Sequence, residues 1–122
     1  MNEIFKRGSK ITVEEYHKAL REQENISHEM DKFFENFDVL ISLSTAGDAP
    51  LREETEKPDP SLIWTLTHLP VVCAPAFVSP AGLPFGVQFA ARKYNDKLLF
   101  RFTDLLRKSG LIPEGTNPLP GL

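Results

Sequence analysis

Apolar and polar positions follow three rhythms along this chain. From Thr12 onward, apolar residues recur at Tyr16, Ala19, Leu20, Ile26, Met30, Phe33, Phe34 and Phe37. The steps are mostly three or four, the period of one helix face. Thr12 and Glu15 form a T-x-x-E capping box, which satisfies free backbone N–H groups at a helix start. The spacing predicts a long helix from Thr12 to Phe37, ending in a heavy anchor of three phenylalanines. Asp38–Leu43 is then a short β-branched run and reads as a buried strand. Ser44–Asp59 is polar, with Gly47, Pro50 and Pro58, and reads as a loop longer than compact domains usually carry.

Pro60–His68 suits a short helix, with Asp59 as its cap and Pro60 in its first turn. Leu62, Ile63, Leu66 and Leu69 would face inward, with Trp64 beside them. Two strands are expected at Val71–Ala76 and Phe85–Ala91. In the second, Phe85, Val87 and Phe89 alternate with Gly86, Gln88 and Ala90. The link Phe77–Pro84 must turn, since it holds Pro80, Gly82 and Pro84. Pro75 lacks an N–H, so the first strand should end, bulge or lie at a sheet edge there. The last rhythm is the clearest. Leu98, Leu99, Phe102, Leu105 and Leu106 fall at helical spacing after Asp96, a good N-cap residue. Arg107 and Lys108 complement the helix dipole in its last turn, and Gly110 stops it. Leu111–Leu122, with three prolines and two glycines, reads as an extended or disordered tail.

Composition narrows the classes. At 122 residues the chain is one domain at most, and its 25% charged and 41% hydrophobic residues are those of an ordinary globular protein. A net charge of −3 gives no general attraction to nucleic acid or anionic membranes, and neither partner is expected. The six basic and two acidic residues of Arg92–Lys108 give that stretch a local +4, which reads as a solvated helix face. One cysteine rules out an internal disulfide and fits a reducing compartment. The N-terminus has no apolar signal region, so a cytoplasmic chain is expected.

Local chemistry yields no complete catalytic set. Cys73 sits among Val71, Val72 and Ala74 and reads as a small buried hydrophobe. Ser79 lacks a G-x-S-x-G elbow and reads as a loop hydroxyl. His17, His28 and His68 are scattered without metal-ligand spacing. Gly82 and Gly86 are too few for a phosphate cradle, and no cofactor is expected. Glu53, Glu54 and Glu56 read as a solvated acidic cluster.

The order of the pieces carries more. "FKRGSKITVEEYHKAL" has a glycine followed by a Y-x-x-A-L helix centre. "FFENFDVLISLSTAGDAP" has an F-x-x-x-D-V-L strand and a following loop. In the region from Pro58 to Leu106, a W-T-x-x-x-x-P segment leads to a strand, to G-L-P-x-G-V-Q, and to an aspartate opening the last helix. Over about Phe5 to Lys108 this order resembles the closing region of amidase signature enzymes.

The resemblance implies an α/β fold. Residues 1–110 would be the C-terminal portion of the amidase α/β/α domain, with mixed sheet strands flanked by a long N-terminal and a C-terminal helix. It also implies what is missing. Family members are several times longer, and their Ser–Ser–Lys machinery lies upstream of the matched region. Ser42, Ser44 and Ser79 match no catalytic position, and no lysine does, so the chain is expected to carry no catalytic residue. Two positions depart from the family pattern. Leu43-Ser44 stands where a proline is common, and His68 where a glycine is common. By resemblance, the segment 61–67 borders the substrate cleft, which makes Trp64 and Thr65 the substrate-binding candidates. Trp64 serves equally well as core.

Two function classes stay open. One is a C-terminal fragment of an amide C–N hydrolase, completed by the missing N-terminal amidase portion. The other is a stand-alone α/β module that binds a protein partner. Self-association is expected in both, because open strand edges recruit further strands.

Overall fold

The computed structural model describes residues 2–47, 49–54 and 59–112. Residues 48 and 55–58 of the expected loop, Glu56 among them, and most of the expected tail lie outside them. The element order is α1 (Asn2–Gly8), α2 (Val13–Phe33), β1 (Val39–Leu43), α3 (Leu62–Thr67), β2 (Val71–Val78), β3 (Pro84–Ala91) and α4 (Asp96–Lys108). The fold is α/β, with α1 as an element that the apolar rhythm did not predict.

The capping box at the start of α2 is formed. Thr12 Oγ1 accepts from the Glu15 N–H at 3.2 Å, and Glu15 accepts from the Thr12 N–H at 2.8 Å. The Thr12 N–H and the Thr12 hydroxyl, which donates to the same carboxylate at 2.9 Å, hold the Glu15 carboxyl below its ordinary range. The three phenylalanines divide at the helix end. Phe34 is buried, whereas Phe33 and Phe37 are exposed and stack on each other at 4.8 Å.

The three strands form one antiparallel sheet in the order β1-β3-β2. β1 was expected to be buried, but it is an edge strand with Ile41 and Leu43 exposed. β2 runs on through Pro75 to Val78, so the connecting turn shrinks to Ser79–Leu83. Pro75 meets its expectation twice: β2 is the other edge, and the register shifts between Pro75 and Phe77.

Two bonds fix the phase of both ladders. The Ser44 N–H donates to the Gly86 carbonyl at 2.9 Å, and the Ala91 N–H to the Pro70 carbonyl at 3.2 Å. In an antiparallel pair, hydrogen-bonded positions recur every second residue. On β1, Leu40 and Ser42 therefore bond to β3, and Val39, Ile41 and Leu43 direct their backbone groups outward. On β2 the outward positions are Val71, Cys73 and Pro75.

One sheet face packs on α4. Ala74, Phe89, Ala91 and Leu99 form the core, with Val39, Val72, Val87, Leu98, Phe102, Leu106 and Ile112 against it. Phe89 meets Phe102 edge to face at 5.6 Å. The expected helix is therefore the one that covers the sheet, but its start differs from expectation. Asn95 occupies the N-cap position, and it makes no side-chain cap bond. Asp96 is the first helical residue, because the chain leaves β3 through Tyr94 at φ 65° before it can turn helical. Leu105, expected inward, is exposed, since the apolar stripe is wider than the strip of sheet that α4 covers.

Candidate functional site

The candidate site is built around α3. Asp59 prepares its start: the carboxylate accepts the Ser61 N–H at 2.8 Å, which holds the Asp59 carboxyl below its usual range. The helix proper begins at Leu62, two residues after Pro60. Leu62 and Leu66 are exposed, contrary to the expected inward face, while Ile63, Trp64 and Leu69 are half-buried. Six residues give less than two turns, too few to bury four apolar side chains on one face.

The end of α3 is a Schellman motif. The His68 N–H reaches the Thr65 carbonyl at 3.4 Å, and the Leu69 N–H reaches the Trp64 carbonyl at 3.1 Å. His68 sits in the left-handed region at φ 56° and ψ 38°. Glycine suits that conformation best, because it has no Cβ to clash. The tight turn expected from a glycine is thus kept, with a histidine in it. α4 closes with the same motif, where Gly110 at φ 74° takes the equivalent place.

α2 is tied to this end. Gln23 Nε2 donates to the Leu66 carbonyl at 2.8 Å and lies 3.1 Å from His68 Nε2. Asp31 of α2 pairs with Arg92 after β3 at 3.3 Å. Between these ties lies an open cleft of about 530 Å³, lined by Leu20, Gln23, Glu24, Ser27, His28, Asp31, His68 and Lys93, among others. Among the described residues, no group of three His, Cys, Asp or Glu side chains is placed to hold a metal ion.

The two substrate-binding candidates differ in setting. Thr65 is exposed and turns its hydroxyl back to the Ser61 carbonyl at 3.4 Å. Trp64 is half-buried, and its indole Nε1 is buried with no hydrogen-bond partner. Neither residue lines the α2–α3 cleft. A buried donor without an acceptor costs about 1–3 kcal/mol, so this N–H is a place where an acceptor would gain.

The hydroxyls and thiol named from the sequence have structural surroundings. Ser79 is buried and accepts the Leu83 N–H at 3.2 Å, closing the β2–β3 turn. Ser44 accepts the Gly86 N–H at 3.1 Å. Ser42 accepts from Gln88 Nε2 at 3.0 Å, and the same amide donates to the Leu43 carbonyl at 3.0 Å. Cys73 was expected to be buried but is exposed, because it lies on the face of an edge strand that α4 does not cover. Gln88, only 1% exposed, was not singled out by sequence reasoning. The signal was there, in the Q that closes G-L-P-x-G-V-Q on the face opposite Phe89.

Comparison with known proteins places this arrangement. A family model described as Amidase matches residues 1–100. A glutamyl-tRNA(Gln) amidotransferase subunit from Clostridium acetobutylicum is 28% identical over 102 residues, 76% of this chain and 21% of that protein. A structure reported as a vestigial protein complex that reveals the origins of an s-triazine catabolic enzyme has a TM-score of 0.76 at 25% identity. That match covers 92% of this chain and 28% of the other. The structure of 6-aminohexanoate cyclic dimer hydrolase shares the fold, with a TM-score of 0.73 at 18% identity over 85% of this chain and 26% of that one. The chain thus spans about a fifth of the length of the Clostridium relative it matches. Since the family match takes in the whole sheet, α1 to α3 and the opening of α4, the chain belongs to the amidase family.

Proposed function

We propose that this chain forms the closing part of an amide C–N hydrolase and borders its substrate cleft, while the nucleophile and its base lie in the portion outside the chain. The observation that carries this reading is a family match over residues 1–100 in a chain spanning only 21% of a relative. The hydroxyls of Ser42, Ser44 and Ser79 support it, since each is engaged with the β-ladder or the β2–β3 turn. An activated nucleophile needs a base within hydrogen-bond reach. In this reading Trp64 and Thr65 form part of the substrate-cleft wall. The free thiol of Cys73 suits a reducing, cytoplasmic setting.

The test is ammonia release from a simple aliphatic and a simple aryl amide. The chain alone should give none above background. Turnover by the chain alone, lost on Ser79→Ala or Cys73→Ala, would overturn the reading. The second reading, a non-catalytic module that binds a protein partner or itself, is favoured by the apolar, unblocked edge of β1. It predicts a stable complex without amide turnover in any combination.

A further inference from the structure

We propose that Gln23 and His68 form an acid-sensitive latch that holds α3 against α2, closed while the His68 ring is neutral and released when the ring takes a second proton. The latch rests on the geometry of the chain itself and does not depend on the functional reading above.

The bonding fixes the protonation state. Gln23 Nε2 lies 2.8 Å from the Leu66 carbonyl oxygen and 3.1 Å from His68 Nε2. A carbonyl oxygen can only accept, so the group that faces it is the amide NH2, which has two hydrogens to give and accepts none. One hydrogen goes to Leu66 and the other meets His68 Nε2, which must offer its lone pair. The ring is therefore neutral, with its hydrogen on Nδ1. An imidazolium carries a hydrogen on both nitrogens and would set N–H against N–H at Gln23. Turning the amide over does not help, because Gln23 Oε1 would then face the Leu66 carbonyl. Either way one of the two ties is lost.

The place of the ring in the fold gives that loss a consequence. Among the described residues, the two Gln23 contacts are the hydrogen bonds that join α2 to α3 and its cap. His68 is the left-handed residue that ends α3, and Trp64 and Thr65 lie within the same short helix. Glycine is common at this place in the family pattern, so a titratable group in the turn belongs to this chain in particular. The ring is exposed, so solvent protons reach it. The charged and titratable groups around it in the cleft are Arg21, Glu24, His28 and Asp31 of α2 and Lys93 after β3; α3 itself has none. Arg21 and Lys93 oppose a second proton on the ring, whereas Glu24 and Asp31 favour it, although Asp31 is also held by Arg92. With two cations set against two carboxylates, the reversal at Gln23 decides whether the latch holds.

Trp64 is the only tryptophan, so its emission reports on α3 in the full 122-residue chain. The titration runs from about pH 8 to about pH 5, the range in which imidazole gains its charge, with circular dichroism confirming that each chain stays folded. The wild-type emission maximum should move to longer wavelength in a one-proton step, and nitrogen NMR at the alkaline end should place the His68 hydrogen on Nδ1. His28→Gln should keep the step. His68→Gly, which suits the left-handed turn, and Gln23→Ala should each abolish it. Gln23→Glu exchanges the donor for an acceptor, which pairs with the imidazolium and should reverse the direction of the step. A neutral ring with its hydrogen on Nε2, a wild-type chain without the step, or a step that survives His68→Gly would overturn the proposal. A step of equal size in Gln23→Ala would overturn it too, since the ring would then act without its partner.

Discussion

Gly86→Ala should destabilise the protein by about 2 kcal/mol, although alanine favours folding at most sites. Gly86 lies on β3, directly between β1 and β2. A Cβ there would sit 2.6 Å from the Ala74 carbonyl oxygen and 3.0 Å from Ser44 Oγ. The first atom is backbone of a paired strand beside the core, so it cannot swing aside. Overpacking of this kind costs about 1–3 kcal/mol. The reduced freedom of the unfolded chain returns about 0.4–1 kcal/mol. Displacing Ser44 also strains its bond to the Gly86 N–H, which adds about 0.5–1.5 kcal/mol to the loss. Gly8→Ala is the control: it is helical, with nothing within 4 Å of a Cβ, and should gain about 0.5 kcal/mol. Urea unfolding followed by circular dichroism reads both. With a slope of about 1–3 kcal/mol per molar, the Gly86→Ala midpoint should fall by about 1 M while the Gly8→Ala midpoint holds or rises. A Gly86→Ala midpoint equal to wild type would refute the close approach of β2 and β3 at this point.

Further outcomes follow from the helix ends. Gly110→Ala should lose about 1 kcal/mol, since φ 74° is strained for any residue with a Cβ; His68→Gly should gain about 0.5 kcal/mol after loss of the Gln23 contact, read as opposite shifts in melting temperature. Asp96→Ala should cost only about 0.5 kcal/mol, the value of an acid near the dipole rather than of a lost cap bond, and a loss above that by denaturant titration would restore Asp96 as the N-cap. Glu15 has its carboxyl depressed by the Thr12 backbone N–H and hydroxyl. Its stabilising contribution is therefore full above the unfolded-state pKa of about 4.3 and is lost as pH falls through the lower folded-state value. Glu15→Gln should flatten that part of the acid titration of helicity, and an unchanged titration would show that the box does not hold in solution.

Elements whose burial is decided locally were legible in the sequence. The T-x-x-E box and the stripe of Leu98, Leu99, Phe102 and Leu106 specify helices by spacing alone, and Pro75 specifies an edge by its missing donor. What failed was burial set by distant partners. Cys73 and Ile41 have core-like neighbours in sequence, yet both lie on edge strands. Sheet order depends on which strand takes the middle, and nothing near either residue encodes that. The same limit hid Gln88, whose partners Ser42 and Leu43 are 46 and 45 residues away. At the candidate site, Trp64 was named only through the family resemblance of its segment; its unpartnered indole could emerge only from three-dimensional packing.

The strand order β1-β3-β2 also sets a sequence of events in time. β2 and β3 are joined through Ser79–Leu83 and can close as a local hairpin. β1 must find β3 across some forty intervening residues, and closing so much longer a loop costs about 2 kcal/mol more in chain entropy. The edge strand should then join the hairpin late in folding and leave it early on fraying. In native-state hydrogen exchange, the Leu40 and Ser42 amides should open at lower free energy than those of Phe89 and Ala91, although all four are bonded within the same sheet.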